Sequence, residues 1–201
     1  MAESQNDDLS RNVYCILGVP VDDVDFASTI YRIEVAANRT APFLISTPNL
    51  NYLVNFQSDA EFRESLLKSD LCPVDGIAIV WLARLLRIPI KERVAGSDIF
   101  DSLKLQRSTE GPLRIFLFGG EEGVAKAAAA KLQSPGLVCV GALDPGFGTI
   151  EQMSGEDIID AINSSNAQIL SVSLGAKKGQ SWLLAIMLLC ASRCACISAP
   201  S

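Results

Sequence analysis

Apolar residues along this chain follow two alternating rhythms. Short unbroken runs read as buried strands, and stretches with apolar positions three and four apart read as helices packed on one face. Val13–Leu17 is the first run, after which Phe26, Ile30 and Ile33 recur at helical spacing up to a stop at Asn38. Pro42–Ser46 is the second run. The breaker Thr47-Pro48-Asn49 follows it, and helical periodicity resumes through Leu50, Leu53 and Val54, then through Phe62, Leu66 and Leu67. Leu71–Val74 is a third run. Ile77–Leu86 is apolar almost all the way round, with no polar face before Arg84 and Arg87, which predicts a helix buried within the protein.

Beyond Arg93, Ser97 or Asp98 offers a cap for another helix, and Gly111-Pro112 ends that region. The alternation then sharpens: strand Arg114–Phe118, helix Glu121–Leu132, strand Leu137–Leu143, capped helix Ser154–Asn163, strand Gln168–Leu174. Strands and helices alternating at this spacing predict an α/β fold, a mostly parallel sheet with helices on both faces in Rossmann-like order. In such a sheet ligands gather at the carboxyl ends of the strands. The expected organisation is a flexible N-terminal segment (1–12), one α/β domain (13–182) and an atypical apolar, cysteine-rich tail (183–201).

Composition narrows the chemistry. With 49% hydrophobic and 20% charged residues the chain has enough apolar surface to fold. A net charge of −6 offers no general footprint for a nucleic-acid backbone. Histidine is absent, so Ser-His-Asp and Cys-His nucleophiles, His-ligated zinc and imidazole acid–base steps are excluded. Protons must move through carboxylate, Lys, Tyr, Cys or water. Met1–Arg11 lacks the basic start and apolar core of an export signal, which predicts a cytoplasmic protein. Cys15, Cys72 and Cys139 sit in apolar segments and read as small buried hydrophobes, while Cys190, Cys194 and Cys196 have no familiar zinc spacing.

Several residues could carry chemistry. Asp75 ends an apolar run and precedes an apolar helix; it is either a desolvated carboxylate suited to act as a base or an N-cap for that helix. Arg93 is either a fixed cationic fork for a phosphate or a surface arginine. Gly119, Gly120 and Gly123 follow a strand and open a helix, where their amides could hold a phosphate or merely tighten the turn; Asp144 sits where a ribose-binding acid would. Asp23-Val24-Asp25 has the two-carboxylate form of a metal-holding motif, and also that of capping residues before a helix.

Taken in order, Thr47-Pro48-Asn49, Val74-Asp75-Gly76-Ile77-Ala78-Ile79-Val80-Trp81, Arg93-Val94-Ala95-Gly96-Ser97-Asp98 and Phe116-Leu117-Phe118-Gly119-Gly120 resemble the WecG/TagA/CpsF glycosyltransferase family. Leu143-Asp144-Pro145-Gly146-Phe147-Gly148 is most similar to its GumM-like branch. The resemblance implies an inverting transferase that moves a hexose from a UDP-sugar to a polyprenyl-diphosphate-linked saccharide, peripheral to the inner face of a bacterial membrane. It implies catalytic roles for Asp75 as base, Thr47 and Asn49 as an acceptor-side polar pair, and Arg93 as the family's invariant-looking arginine. Gly119, Gly120, Gly123, Phe147, Gly175 and Gln180 are the candidate nucleotide-side residues. No cofactor is implied beyond the UDP-sugar donor substrate, and a homo-oligomer is compatible with it. The alternative is a nucleotide-binding α/β module without transfer chemistry, or an inactive shortened copy.

The likeness spans about residues 13–182 and departs from the family in two places, in one motif and beyond Trp182, where it stops. Lys177-Lys178-Gly179-Gln180-Ser181-Trp182 stands where many members read Pro-Lys-Gln-Glu before tryptophan. Leu183–Ser201 reads either as a replacement tail from a shifted reading frame or as a native buried or interfacial segment; its apolar run is too short to span a bilayer.

Overall fold

A computed structural model describes residues 11–39, 41–106, 111–187 and 195–198. Val13–Ile16 (β1) and Val19–Asp22 (β2) pair antiparallel. Leu17 and Gly18 between them both take positive φ, 50° and 89°, the primed turn whose twist suits a two-residue hairpin. The run expected as one strand is therefore the first arm of a hairpin. Phe26–Ala37 (α1) is capped by Asp25, whose carboxylate accepts from the Ser28 N–H. That assigns Asp25 a capping role. After Phe43–Ser46 (β3), Leu50–Ser58 (α2) and Ala60–Leu67 (α3) meet at Asp59, which closes one helix and caps the next by accepting from the Phe62 N–H.

Ile77–Leu85 (α4), Gly96–Leu105 (α5), Leu113–Gly119 (β4), Val124–Lys131 (α6) and Leu137–Leu143 (β5) follow. A 3₁₀ turn then leads into Glu156–Ser164 (α7), Ile169–Ser173 (β6), Ala176–Ile186 (α8) and Ala195–Ser198 (β7). The expected caps Ser97, Asp98 and Ser154 do not serve: α5 starts after Ala95 and α7 after Gly155, neither with a side-chain cap.

Among the described residues five strands form a parallel sheet in the order β3-β7-β6-β4-β5. Alternation along the strands sends Ile45, Ile115, Leu117, Ile169 and Ile197 to one face, where α1, α5 and α6 cover them. It sends Leu44, Phe116, Phe118, Val172 and Cys196 to the other, against α7 and α8. There Trp182 is fully buried, stacks on Phe118 with ring centroids 4.0 Å apart and donates its Nε1–H to the Met153 carbonyl at 3.0 Å. A separate apolar cluster joins the hairpin, α2, α3 and α4. The α/β arrangement expected from sequence is the one observed.

Three local expectations change. The Leu71–Val74 run is no strand of its own; Leu71 alone bridges Ile45 and extends the β3 edge. α4 is not enclosed: Ile79, Val80 and Ala83 are buried, but Ile77, Trp81 and Leu85 lie exposed one turn apart. A one-faced contact is all the hairpin and α2 can offer it. Cys72 is buried as expected, whereas Cys15 is exposed and Cys139 half-buried. Cys190 and Cys194 lie outside the described residues, while Cys196 is an interior residue of β7.

Placement of β7 inside the sheet generates a stability test. Cys196→Asp would put a carboxylate against Trp182 and Leu44, and an uncompensated buried charge of that kind should cost about 3 kcal/mol or more. Cys196→Ala should cost no more than about 1–2 kcal/mol. Denaturant titration of the three proteins measures both; equal midpoints would remove β7 from the core.

Candidate active site

The strand register builds the site edge. Ser46, Ser198, Val172, Phe118 and Leu143 stand side by side across the sheet. Thr47 and Asp144 follow and leave the sheet at the level where Gly119 and Ser173, the last residues of β4 and β6, still pair. Gly119 has φ 97° and lies so close to β6 that a Cβ there would sit 2.7 Å from the Ser173 carbonyl oxygen. Glycine alone lets the ends of β4 and β6 close in this way. The Gly120 N–H completes the closure by donating to the Ser173 carbonyl at 2.8 Å.

Asp75 arrives at the same edge from the Leu71 side. Its N–H donates to the Pro48 carbonyl at 2.9 Å, and Val94 N–H donates to the Val74 carbonyl at 2.7 Å, which ties the Thr47-Pro48-Asn49 loop and the Arg93 segment to it. The carboxylate does not cap α4, whose N-cap is Gly76 at φ 124° with no side-chain bond. It faces instead the Gly96 N–H at the start of α5 and Arg93, whose guanidinium nitrogen lies 3.6 Å away. That distance is an ion pair rather than a hydrogen bond. The same guanidinium donates to Asp98 at 2.8 Å. Arg93 is thus a surface arginine held between two carboxylates.

Burial pushes the Asp75 carboxyl above the usual aspartate range, since its side chain is only 14% exposed. Arg93 and the Gly96 N–H pull it back, and the nearby Asp98 charge adds to the rise. Desolvation prevails, which makes Asp75 a stronger base than a solvated aspartate.

Beside Gly96 opens a largely apolar cavity of about 360 Å³. α5 supplies one wall through Ser97 and Phe100, α6 another through Val124, and Gly119, Gly120 and Ser173 form its strand-end floor. Gly96 belongs to both the cavity and the Asp75 contact, so the two adjoin.

The other candidates separate into distinct surroundings. Asn49 caps α2, accepting from Asn51 and Tyr52 N–H at 3.0 and 3.3 Å, and lies against Gly76. Thr47 is fully buried, and its Oγ1 has no hydrogen-bond partner among the described residues. Gln180 is also fully buried and points at Ser46, donating to its Oγ at 2.6 Å, while Ser46 Oγ meets Ser69 Oγ at 2.7 Å. It braces the β3 end from below and does not line the cavity. Phe147 stands 99% exposed on a loop held by Lys178, whose ammonium donates to the Gly148 carbonyl at 3.0 Å.

The two glycine-opened helix starts differ. At α6 the Gly123 and Ala125 N–H groups already bind the Asp144 carboxylate, both at 3.0 Å, so an anion would have to displace that side chain. Asp144 is accordingly a cap rather than a ribose ligand in this arrangement. At α8 the N-cap is Gly175, φ 77°, with no side-chain cap, and Lys177 and Lys178 occupy the first turn. The helix dipole and free amides there favour an anion. Nothing in the sequence singles out Gly96, Lys178 and Ser69 for their roles here; Gly96 and Lys178 stand inside the quoted motifs, whereas nothing in the pattern marks Ser69.

The WecG/TagA/CpsF glycosyl transferase family model matches residues 14–196, so the chain belongs to that family. The match runs past Trp182, where the motif likeness ends, and into β7. Family membership makes it a glycosyltransferase of cell-surface polysaccharide synthesis.

The charge balance at Asp75 can be measured without substrate. Arg93→Ala should raise the Asp75 pKa further, because the opposing cation is lost. Asp98→Asn should lower it, because a like charge disappears and Arg93 is freed for Asp75. Carboxyl carbon-13 NMR titration reads both shifts; movement in the same direction for both variants would contradict the assignment.

Proposed function

Within this glycosyltransferase family, we propose that the chain transfers a hexose with inversion from a UDP-sugar to a polyprenyl-diphosphate-linked saccharide, at the cytoplasmic face of a bacterial membrane and in exopolysaccharide or related cell-surface polymer synthesis. The observation that carries this reading is the desolvated Asp75 beside Arg93, adjoining a cavity at the carboxyl edge of the sheet. In the proposed step the acceptor hydroxyl oxygen attacks the anomeric carbon from the face opposite the leaving group. Asp75 takes the hydroxyl proton as the new carbon–oxygen bond forms. The bond from the anomeric carbon to the phosphate oxygen breaks, and UDP departs with the electron pair.

The chain's own cations suit the departing diphosphate. Arg93 offers a planar fork once it leaves Asp98, and the uncapped α8 start offers amides next to Lys178. Phe147, fully exposed on the Lys178-held loop, suits stacking against a flat base. Thr47 Oγ1, buried without a partner among the described residues beside the Asp75 loop, suits a positioning bond to an acceptor group after local opening. Among the described residues no helix is long and apolar enough to cross a membrane, and the proposal needs only peripheral contact.

Transfer to a lipid-diphosphate acceptor tests the proposal. Asp75→Asn should retain UDP binding but lose about 10²–10⁴-fold in transfer rate, the scale of a missing general base. Arg93→Ala should impair UDP binding or transfer more than Arg93→Lys, since lysine keeps the charge but loses the fork. Wild-type turnover in Asp75→Asn would overturn the mechanism, and UDP binding without any transfer by the wild type would favour a non-catalytic module.

A further inference from the structure

The helix expected to be buried is the one whose exposure calls for explanation. On α4, Ile77, Trp81 and Leu85 are 56%, 66% and 79% exposed and recur every four residues, so they form one apolar stripe along the helix. Leu86 continues it. Arg84 and Arg87, both exposed, flank the stripe and form no ion pair with a described residue. In a chain of net charge −6, the stretch from Arg84 to Arg93 carries four cations and one carboxylate.

The helix end adds a second observation. Arg87 adopts φ 57°, the left-handed conformation that usually falls to glycine after a helix, while Ile88 N–H closes the turn on the Ala83 carbonyl at 2.8 Å. An arginine at that position costs backbone strain a glycine would avoid. What it adds is a cation at the end of the apolar stripe.

From this pairing of apolar stripe and unpaired cations, we infer that the outer face of α4 docks on an anionic lipid bilayer, with Trp81 at the headgroup level and Arg84 and Arg87 on lipid phosphates. An amphipathic interfacial helix has this composition. A two-fold contact with a second copy is disfavoured by the same charges, because it would bring Arg84 and Arg87 of both copies together. The geometry has a consequence for the site. α4 begins two residues after Asp75, and Leu50, exposed at the start of α2, follows the Asn49 that packs on Gly76. Docking through these residues sets Asp75 near the bilayer surface, where a lipid-linked diphosphate presents its sugar. This last step rests on the transferase reading; the docking itself does not.

Flotation with phosphatidylcholine vesicles, with and without phosphatidylglycerol, tests it. The wild type should float with the anionic vesicles, weakly with neutral ones, and less at high salt. Trp81→Glu/Leu85→Glu and Arg84→Glu/Arg87→Glu should each weaken anionic-vesicle binding by at least about tenfold, with thermal midpoint and UDP titration unchanged. The inference is overturned if the wild type does not float, if both variants float like the wild type, or if the wild type is a dimer that Trp81→Glu/Leu85→Glu dissociates without any change in vesicle binding. Transfer to a water-soluble acceptor analogue separates the two readings. Normal transfer there by variants that no longer float supports docking, whereas vesicle binding without transfer to any acceptor would count against the catalytic proposal and leave docking supported.

Discussion

The structure depends on one four-residue strand. β7 lies between β3 and β6 and is hydrogen-bonded to both, in register from Ala195 to Ser198. A parallel sheet tolerates no gap, because backbone groups on each side would be left unpaired in an apolar interior. On one flank of β7 stand β3, the Leu71 edge and the loops carrying Thr47 and Asp75; on the other stand β6, β4 and the turns at Gly119 and Gly175. The strand therefore fixes the level at which the Asp75 loop and the Gly119-Gly120 turn reach one edge of the sheet, beside the cavity that Gly96 and Gly119 line. The buried bond from Gln180 to Ser46 ties α8 to β3 across the same join.

Electrostatics at that edge follows from burial more than from charge count. Asp75 is desolvated and only partly compensated by an arginine that is itself shared with Asp98. A fully paired carboxylate would be a weak base and a fully exposed one an ordinary base; the intermediate state raises basicity while keeping a cation within reach. Asp144 shows the opposite solution, a carboxylate spent on the amides of α6. Two aspartates at one sheet edge thus take different work from their surroundings.

Much of this was legible in the chain and some was not. The strands β4, β5 and β6 and their helices were readable because long apolar runs alternate with helical periodicity between clear breakers. Leu17-Gly18 hid a hairpin, since a leucine in a left-handed turn gives no glycine or asparagine signal at that position. Asp59 split one periodic stretch into two helices, because one residue can both end and begin a helix. β7 is not legible in the sequence because small residues and cysteines in a short segment carry little strand signal before a neighbour is known. The pattern predicts α4 as enclosed because periodicity cannot tell a buried apolar face from one awaiting a partner. At the site, Asp75, Arg93, Gly119 and Gly120 come to one edge. Gly123 and Gln180 depart from the nucleotide-side reading because their amide and side chain are taken by Asp144 and Ser46.

The central claim is that the cavity between α5 and the strand ends receives the nucleotide next to Asp75. Backbone amide NMR during titration with UDP tests it most directly. The account predicts saturable shifts at Gly96, Ser97, Gly119 and Gly120, together with the α8 start at Ala176 to Lys178. Saturable shifts confined to residues away from this edge, with those amides unmoved, would contradict it.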